Sequence, residues 1–133
     1  MTVTVKELPG EPIILCTLGL PHNPQEDVGA AAIATTAFKK KLGGHVYRVV
    51  DLSVFPLTFS DAMMGMGAEI GLEGGINDVD VTTVYVGSGE WVTFGVKAFQ
   101  EQAQYGKTNV IAVCSTPEEG IAFARADIAK PKG

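Results

Sequence analysis

Only two side chains in this sequence can supply an imidazole, His22 and His45. His22 sits in Leu20-Pro21-His22-Asn23, which reads as a loop open to solvent. His45 follows Gly43-Gly44 and opens an apolar run. A hydrolytic triad also needs a nucleophile and an orienting acid. Neither histidine has a Gly-x-Ser-x-Gly elbow beside it. Both read as ordinary loop and strand residues, and no catalytic residue is assigned. Cys16 and Cys114 lie in apolar runs without Cys-x-x-Cys spacing. They read as buried, reduced thiols rather than redox or zinc ligands. Glu69, Glu73, Asp78 and Asp80 lack the alternating oxygen ligands of a calcium loop. They read as a solvated acidic loop, so no metal site is assigned.

Two groups of residues remain as binding candidates. Gly87-Ser88-Gly89 follows an apolar run and precedes a helical pattern. Phosphates bind at such places because backbone N–H groups and the helix dipole face them. Position 92 is Val92 where a dinucleotide fingerprint needs a third glycine, and Glu90 repels an anion. Gly87, Ser88 and Gly89 are therefore a weak anion site, with an ordinary helix cap at Ser88 as the plainer reading. The second group is Met63, Met64 and Met66, near Phe55, Leu57 and Phe59. Methionines adapt to irregular apolar shapes, so they can line a ligand pocket or a partner surface. Core packing is the alternative. Trp91, the single tryptophan, reads as packing over the sheet edge, with an exposed patch as the alternative.

The elements that must position these residues are marked by period and punctuation. Residues 2–8 alternate like a half-exposed edge strand. Pro9-Gly10-Glu11-Pro12 signals a turn, and residues 13–18 form a continuous apolar strand. The pair predicts an antiparallel hairpin. Asn23-Pro24-Gln25-Glu26 predicts a helix start, with Asn23 as cap and Glu26 closing a capping box. Lys39, Lys40 and Lys41 fit the last turn of that helix, and Gly43-Gly44 ends it. Strands are expected at 45–51, 81–86 and 109–114. Helices are expected over about 62–72, capped by Ser60 or Asp61, from Ser88 to about Tyr105-Gly106, and after the Thr116 cap. Residues 74–80 read as a flexible acidic connection, and 131–133 as a frayed tail. The order β-β-α-β-α-β-α-β-α predicts one α/β domain over 1–133. It has a single-layer, mixed, mostly parallel five-stranded sheet with about four helices.

Within that frame, residues 49–54 (Val-Val-Asp-Leu-Ser-Val) followed by Thr58-Phe59-Ser60-Asp61-Ala62 resemble the centre of STAS domains. These are the family of the anti-sigma-factor antagonists and the related SpoIIAA-like proteins. Residues 84–99 resemble the later part of the SpoIIAA-like proteins. The resemblance implies a regulatory module in which Ser60 occupies the position of the phosphorylated serine. Asp51, Ser53, Ser60, Asp61, Met63, Met64 and Met66 are accordingly the candidates for binding or switching. Phosphorylation of Ser60 would add about −1.5 to −2 charge at a helix start.

Bulk properties narrow the partners. With 133 residues and a net charge of −5, there is no broad basic face to neutralise phosphates, so nucleic acid is not expected. No apolar run approaches the ~18–20 residues of a transmembrane helix, and no signal-peptide core opens the chain. A cytoplasmic setting is expected. Three readings stay open. The first is a non-enzymatic module that docks a protein partner or a small apolar ligand near residues 51–66, with no cofactor. The second is a flavodoxin-like nucleotide- or flavin-binding domain, or a small enzyme, using loops at the carboxyl ends of the strands. The third is a homodimeric building block.

Overall fold

The alternation at the start of the chain becomes strand β1 (Val3–Glu7), exposed beyond Val3. The Pro-Gly turn reverses the chain into β2 (Ile13–Leu18), and the two strands pair antiparallel from Val3↔Leu18 to Glu7↔Ile14. The remaining elements are α1 (Pro24–Leu42), β3 (Val46–Asp51), α2 (Phe59–Glu69), β4 (Val81–Val86), α3 (Glu90–Glu101), β5 (Val110–Cys114) and α4 (Pro117–Ala129). This computed structural model describes residues 3–54, 56–102 and 106–130.

The sheet runs in the order β1-β2-β3-β4-β5, parallel from β2 onward. Each strand lies beside its predecessor in one direction, so right-handed crossovers stack α1, α2 and α3 on the same face. The larger core forms there. It joins Ile14, Cys16, Leu18, Val50 and Tyr85 of the strands to Phe38, Met66, Val96 and Phe99 of the helices. Helix α4 follows the last strand and covers the other face, where Ala124 meets Ile13, Val49, Val84 and Val86. It lies close, because a Cβ on Gly120 would stand 2.9 Å from Val49 and 3.0 Å from Val86.

Local chemistry explains the boundaries, and it differs from expectation in several places. In α1 the Asn23 side chain accepts from Glu26 N–H at 3.1 Å, as expected. The carboxylate that reaches back to Asn23 N–H belongs to Asp27, not Glu26. Helix α2 begins earlier than expected. Thr58 is its cap, and Asp61 closes the capping box at its third position. Helix α3 takes Gly89 as its cap with no side-chain hydrogen bond, so Ser88 does not cap it. It stops at Glu101, short of the expected end at Tyr105-Gly106. Tyr105, Phe55, the expected strand start at Thr2 and the tail at 131–133 fall outside the described residues.

The connection between α2 and β4 is not the loose acidic loop its composition suggests. Asp78 accepts from Lys39 Nζ at 2.7 Å and from Gly74 N–H at 2.8 Å, and Ile76 is fully buried. Gly74 has φ +79°, and a Cβ there would lie 2.3 Å from the Ala32 carbonyl oxygen. Only glycine fits both constraints. No helix among the described residues is long and apolar enough to cross a membrane.

Candidate functional site

Open α/β sheets bind ligands beyond the carboxyl ends of their strands. In this chain those ends are Leu18 on β2, Val50 and Leu52 at β3, and Tyr85 on β4. Helix α2 crosses above them between α1 and α3. The three helices and the strand ends enclose a pocket of about 70 Å³. Helix α2 contributes Asp61, Ala62, Gly65, Met66 and Glu69, while α3 contributes Trp91, Val92, Gly95, Val96 and Phe99. The lining is mostly apolar. The space is well below the ~300–1,000 Å³ of drug-sized sites. It is also below the ~150 Å³ that admits benzene into an engineered core. It suits a very small molecule, or a somewhat larger one if α2 shifts.

One wall is polar by construction. His22 precedes α1 and lines the pocket, and its Nδ1 lies 2.6 Å from Asp27 Oδ2. The two side chains are only 7% and 3% exposed. Asp27 is held in turn by Asn23 N–H at 3.2 Å. A carboxylate accepts only, so Nδ1–H donates in this pair.

The floor is a charged network inside the apolar core. Arg48, fully buried on β3, donates through Nη2 to both carboxylate oxygens of Glu69 at 2.8 Å. It also donates through Nε to Thr83 Oγ1 at 2.7 Å. Tyr85 OH donates to Glu69 Oε2 at 2.9 Å, and Ile76 N–H to Oε1 at 3.1 Å. Arg48 Nη1 has no partner among the described residues. Burial works against the guanidinium, but Glu69 and Tyr85 outweigh it and raise the Arg48 pKa. Burial first, then the Glu69 charge, pushes the Tyr85 phenol well above its ordinary value. Burial likewise raises the neighbouring Cys16 thiol. Neither group is an activated nucleophile here. Removing one partner of such a buried pair costs about 3–5 kcal/mol, so the network fixes the carboxyl end of α2, at Glu69, over the sheet.

The candidate residues from the sequence divide into three sets. Asp61 and Met66 line the pocket, whereas Met63 packs beside it on the larger core. Asp51 is buried, and its Oδ1 accepts from Ser53 N–H at 2.9 Å and Ser53 Oγ at 2.6 Å. That turn ends β3 and leaves Asp51 and Ser53 outside the pocket. Ser60 and Met64 are exposed on the outer side of α2, 3.8 Å apart. The anion candidates do not form a cradle. Gly87 N–H donates to Cys114 O at 2.9 Å, and Gly87 is pressed against Val92. Ser88 and Gly89 are exposed beside Glu90.

Two functional features differ from the expectation, at Glu69 and at His22. Glu69 is a buried ion-pair partner, not a solvated loop acid, because Arg48 lies beneath it. The signal was present: a charge inside the apolar run of β3 demands a buried counter-charge. His22 is fixed by Asp27 rather than free in a loop. Trp91 packs edge-on with Phe59 at 5.1 Å and with Phe94 at 5.7 Å. Phe59 and Phe94 remain 53% and 40% exposed, so an aromatic surface adjoins the pocket. Cys16 and Cys114 are both free thiols. No cluster of potential metal ligands occurs among the described residues. No protein-family model, no curated protein and no solved structure matches the chain.

Proposed function

We propose that the chain is a non-enzymatic binding module for a small, largely apolar molecule held in the pocket beneath α2. The observation that carries this reading is the pocket itself. It lies where open α/β sheets take ligands, and residues 51–66 supply Leu52, Leu57, Asp61, Ala62 and Met66 to it. Among the described residues no serine, threonine, cysteine or lysine lines it. Gly65 and Gly67 weaken α2, which suits a wall that yields to a ligand. A cytoplasmic setting agrees with the two free thiols. Trp91 gives a direct test, because its single indole N–H signal reports the pocket wall. A panel of small apolar molecules, toluene among them, should shift that signal saturably. A panel that leaves it unmoved overturns the reading.

A second reading, docking of a protein partner in the manner of STAS domains, is favoured by the exposed Ser60, Phe59 and Met64 on one side of α2. Native mass spectrometry of the purified protein distinguishes the two: a co-purified small molecule supports the first, a bound polypeptide the second. Under the second reading, Ser60→Glu weakens partner binding. The flavodoxin-like reading has less support. The pocket is far smaller than a cofactor site, and the Gly87 N–H is already engaged.

A further inference from the structure

From the position of Asp61 we infer that the pocket takes a small amine, its ammonium group set against the Asp61 carboxylate and its apolar body in the cavity. This inference rests on the pocket reading above and names the ligand class of that site. Two carboxylates line the cavity, Glu69 and Asp61, and their surroundings differ. Glu69 is buried and is neutralised by Arg48 at 2.8 Å. Asp61 is half-buried in the first turn of α2. Its Oδ2 accepts from Thr58 N–H at 3.2 Å in the capping box, and its Oδ1 has no hydrogen-bond partner among the described residues. Nor does any lysine, arginine or histidine among them form an ion pair with it. Trp91 stands in the same lining, and its ring lies edge-on to Phe59, 5.1 Å between centroids, on the turn of α2 that carries Asp61. Aromatic faces attract cations, and tryptophan does so most strongly.

Charge selects among ligands. An anion would meet the unpaired Asp61, with Arg48 already engaged by Glu69, in a chain of net charge −5. A hydrocarbon or an alcohol leaves the Asp61 charge uncompensated. A protonated amine supplies the missing counter-charge. Asp61 is half-buried rather than sealed in, so the ammonium keeps part of its hydration and escapes most of the penalty of a fully buried ion pair. The apolar lining, Leu18, Val50, Met66 and Phe99 among it, takes the rest of the molecule.

Benzylamine and benzyl alcohol, alike in shape and differing by an ammonium against a hydroxyl, make the test at neutral pH and low salt, with affinity read from the Trp91 indole signal. In the unaltered protein benzylamine is expected to bind more tightly than benzyl alcohol. Asp61→Asn keeps an oxygen for the Thr58 N–H and removes the charge. In that variant the benzylamine-to-benzyl-alcohol affinity ratio is expected to fall about fivefold, the scale of one half-exposed ion pair. Benzyl alcohol binding at least as tightly as benzylamine in the unaltered protein, or a ratio unchanged in Asp61→Asn, overturns the inference while leaving the pocket reading in place. So does a protein that binds toluene and not benzylamine. If none of the three compounds shifts Trp91, the pocket reading falls and the inference with it. Should Asp61→Asn fail to fold, the carboxyl carbon signal of Asp61 decides: it moves with benzylamine and not with benzyl alcohol, and a signal unmoved by benzylamine overturns the inference.

Discussion

Gly65 offers a perturbation in which stability and binding should move in opposite directions. It lies inside α2 and lines the pocket, yet a Cβ added there would meet nothing within 4 Å. A glycine in a helix interior costs about 0.5–1 kcal/mol relative to alanine, because it has more backbone freedom to lose. With no clash to offset the gain, Gly65→Ala should stabilise the protein by about that amount. For a chain of this size that corresponds to a rise in Tm of roughly 2–5 °C. Gly65→Leu adds three further carbons at a position bordering a space of about 70 Å³. It keeps the helical gain and occupies the room a ligand would take. Urea denaturation gives the stability, and the Trp91 indole titration with toluene gives the binding. The expected result is Gly65→Ala more stable than the parent, and Gly65→Leu folded but at least tenfold weaker in toluene binding. Unchanged toluene affinity in Gly65→Leu would place any ligand elsewhere. A destabilised Gly65→Ala would refute the account of α2 as a regular helix weakened by this glycine.

The remaining predictions concern the frame that holds the pocket. Arg48→Met leaves Glu69 buried and unpaired and should cost about 3–5 kcal/mol by urea denaturation, whereas Arg48→Met with Glu69→Leu should recover most of that loss; simple additivity of the two changes would contradict the network. Gly74→Ala meets both a left-handed backbone and the Ala32 carbonyl, so it should lower stability by more than ~2 kcal/mol, and a neutral result would contradict the tight connection before β4. Tyr47 is pushed up to about 12 by burial and by its hydrogen bond to Asp127. A raised folded-state value means that its contribution is complete below the ordinary pKa of 10.0 and is lost as pH rises from there through about 12. Tyr47→Phe should flatten that alkaline loss in thermal melts, and an unchanged alkaline limb would show that Tyr47 is not its source.

The fold was largely legible because its signals are local. Apolar β-branched runs mark β2, β3 and β4, and Pro and Gly mark their ends. The Asn23-Pro24 and Thr116-Pro117 starts are where α1 and α4 begin. Boundaries slipped where two residues compete for one role. Thr58 outcompetes Ser60 because only from position 58 does Asp61 sit three residues on and close the box. Asp27 displaces Glu26 because it also binds His22. The site was legible only in part. Residues 51–66 stand out in the sequence for their methionines and the Asp-Leu-Ser segment. The pocket draws on Met66 and Asp61 there, but equally on Leu18, Tyr85 and Phe99, which are distant in sequence. Sequence spacing cannot show that sequential strand order brings α1, α2 and α3 onto one face, and the enclosure depends on that convergence.

The central claim, that the space beneath α2 receives a small apolar molecule, is tested most directly by contacts from a bound molecule to its walls. Methionine-methyl NMR with added toluene provides them, because Met66 is buried at the pocket while Met64 is exposed on the opposite side of α2. The account predicts nuclear Overhauser contacts from toluene to the Met66 methyl and to the Trp91 ring, with the Met64 methyl unaffected. Contacts confined to Met64, Phe59 and Phe94 would contradict it and would make the outer aromatic surface, not the pocket, the place where this protein binds.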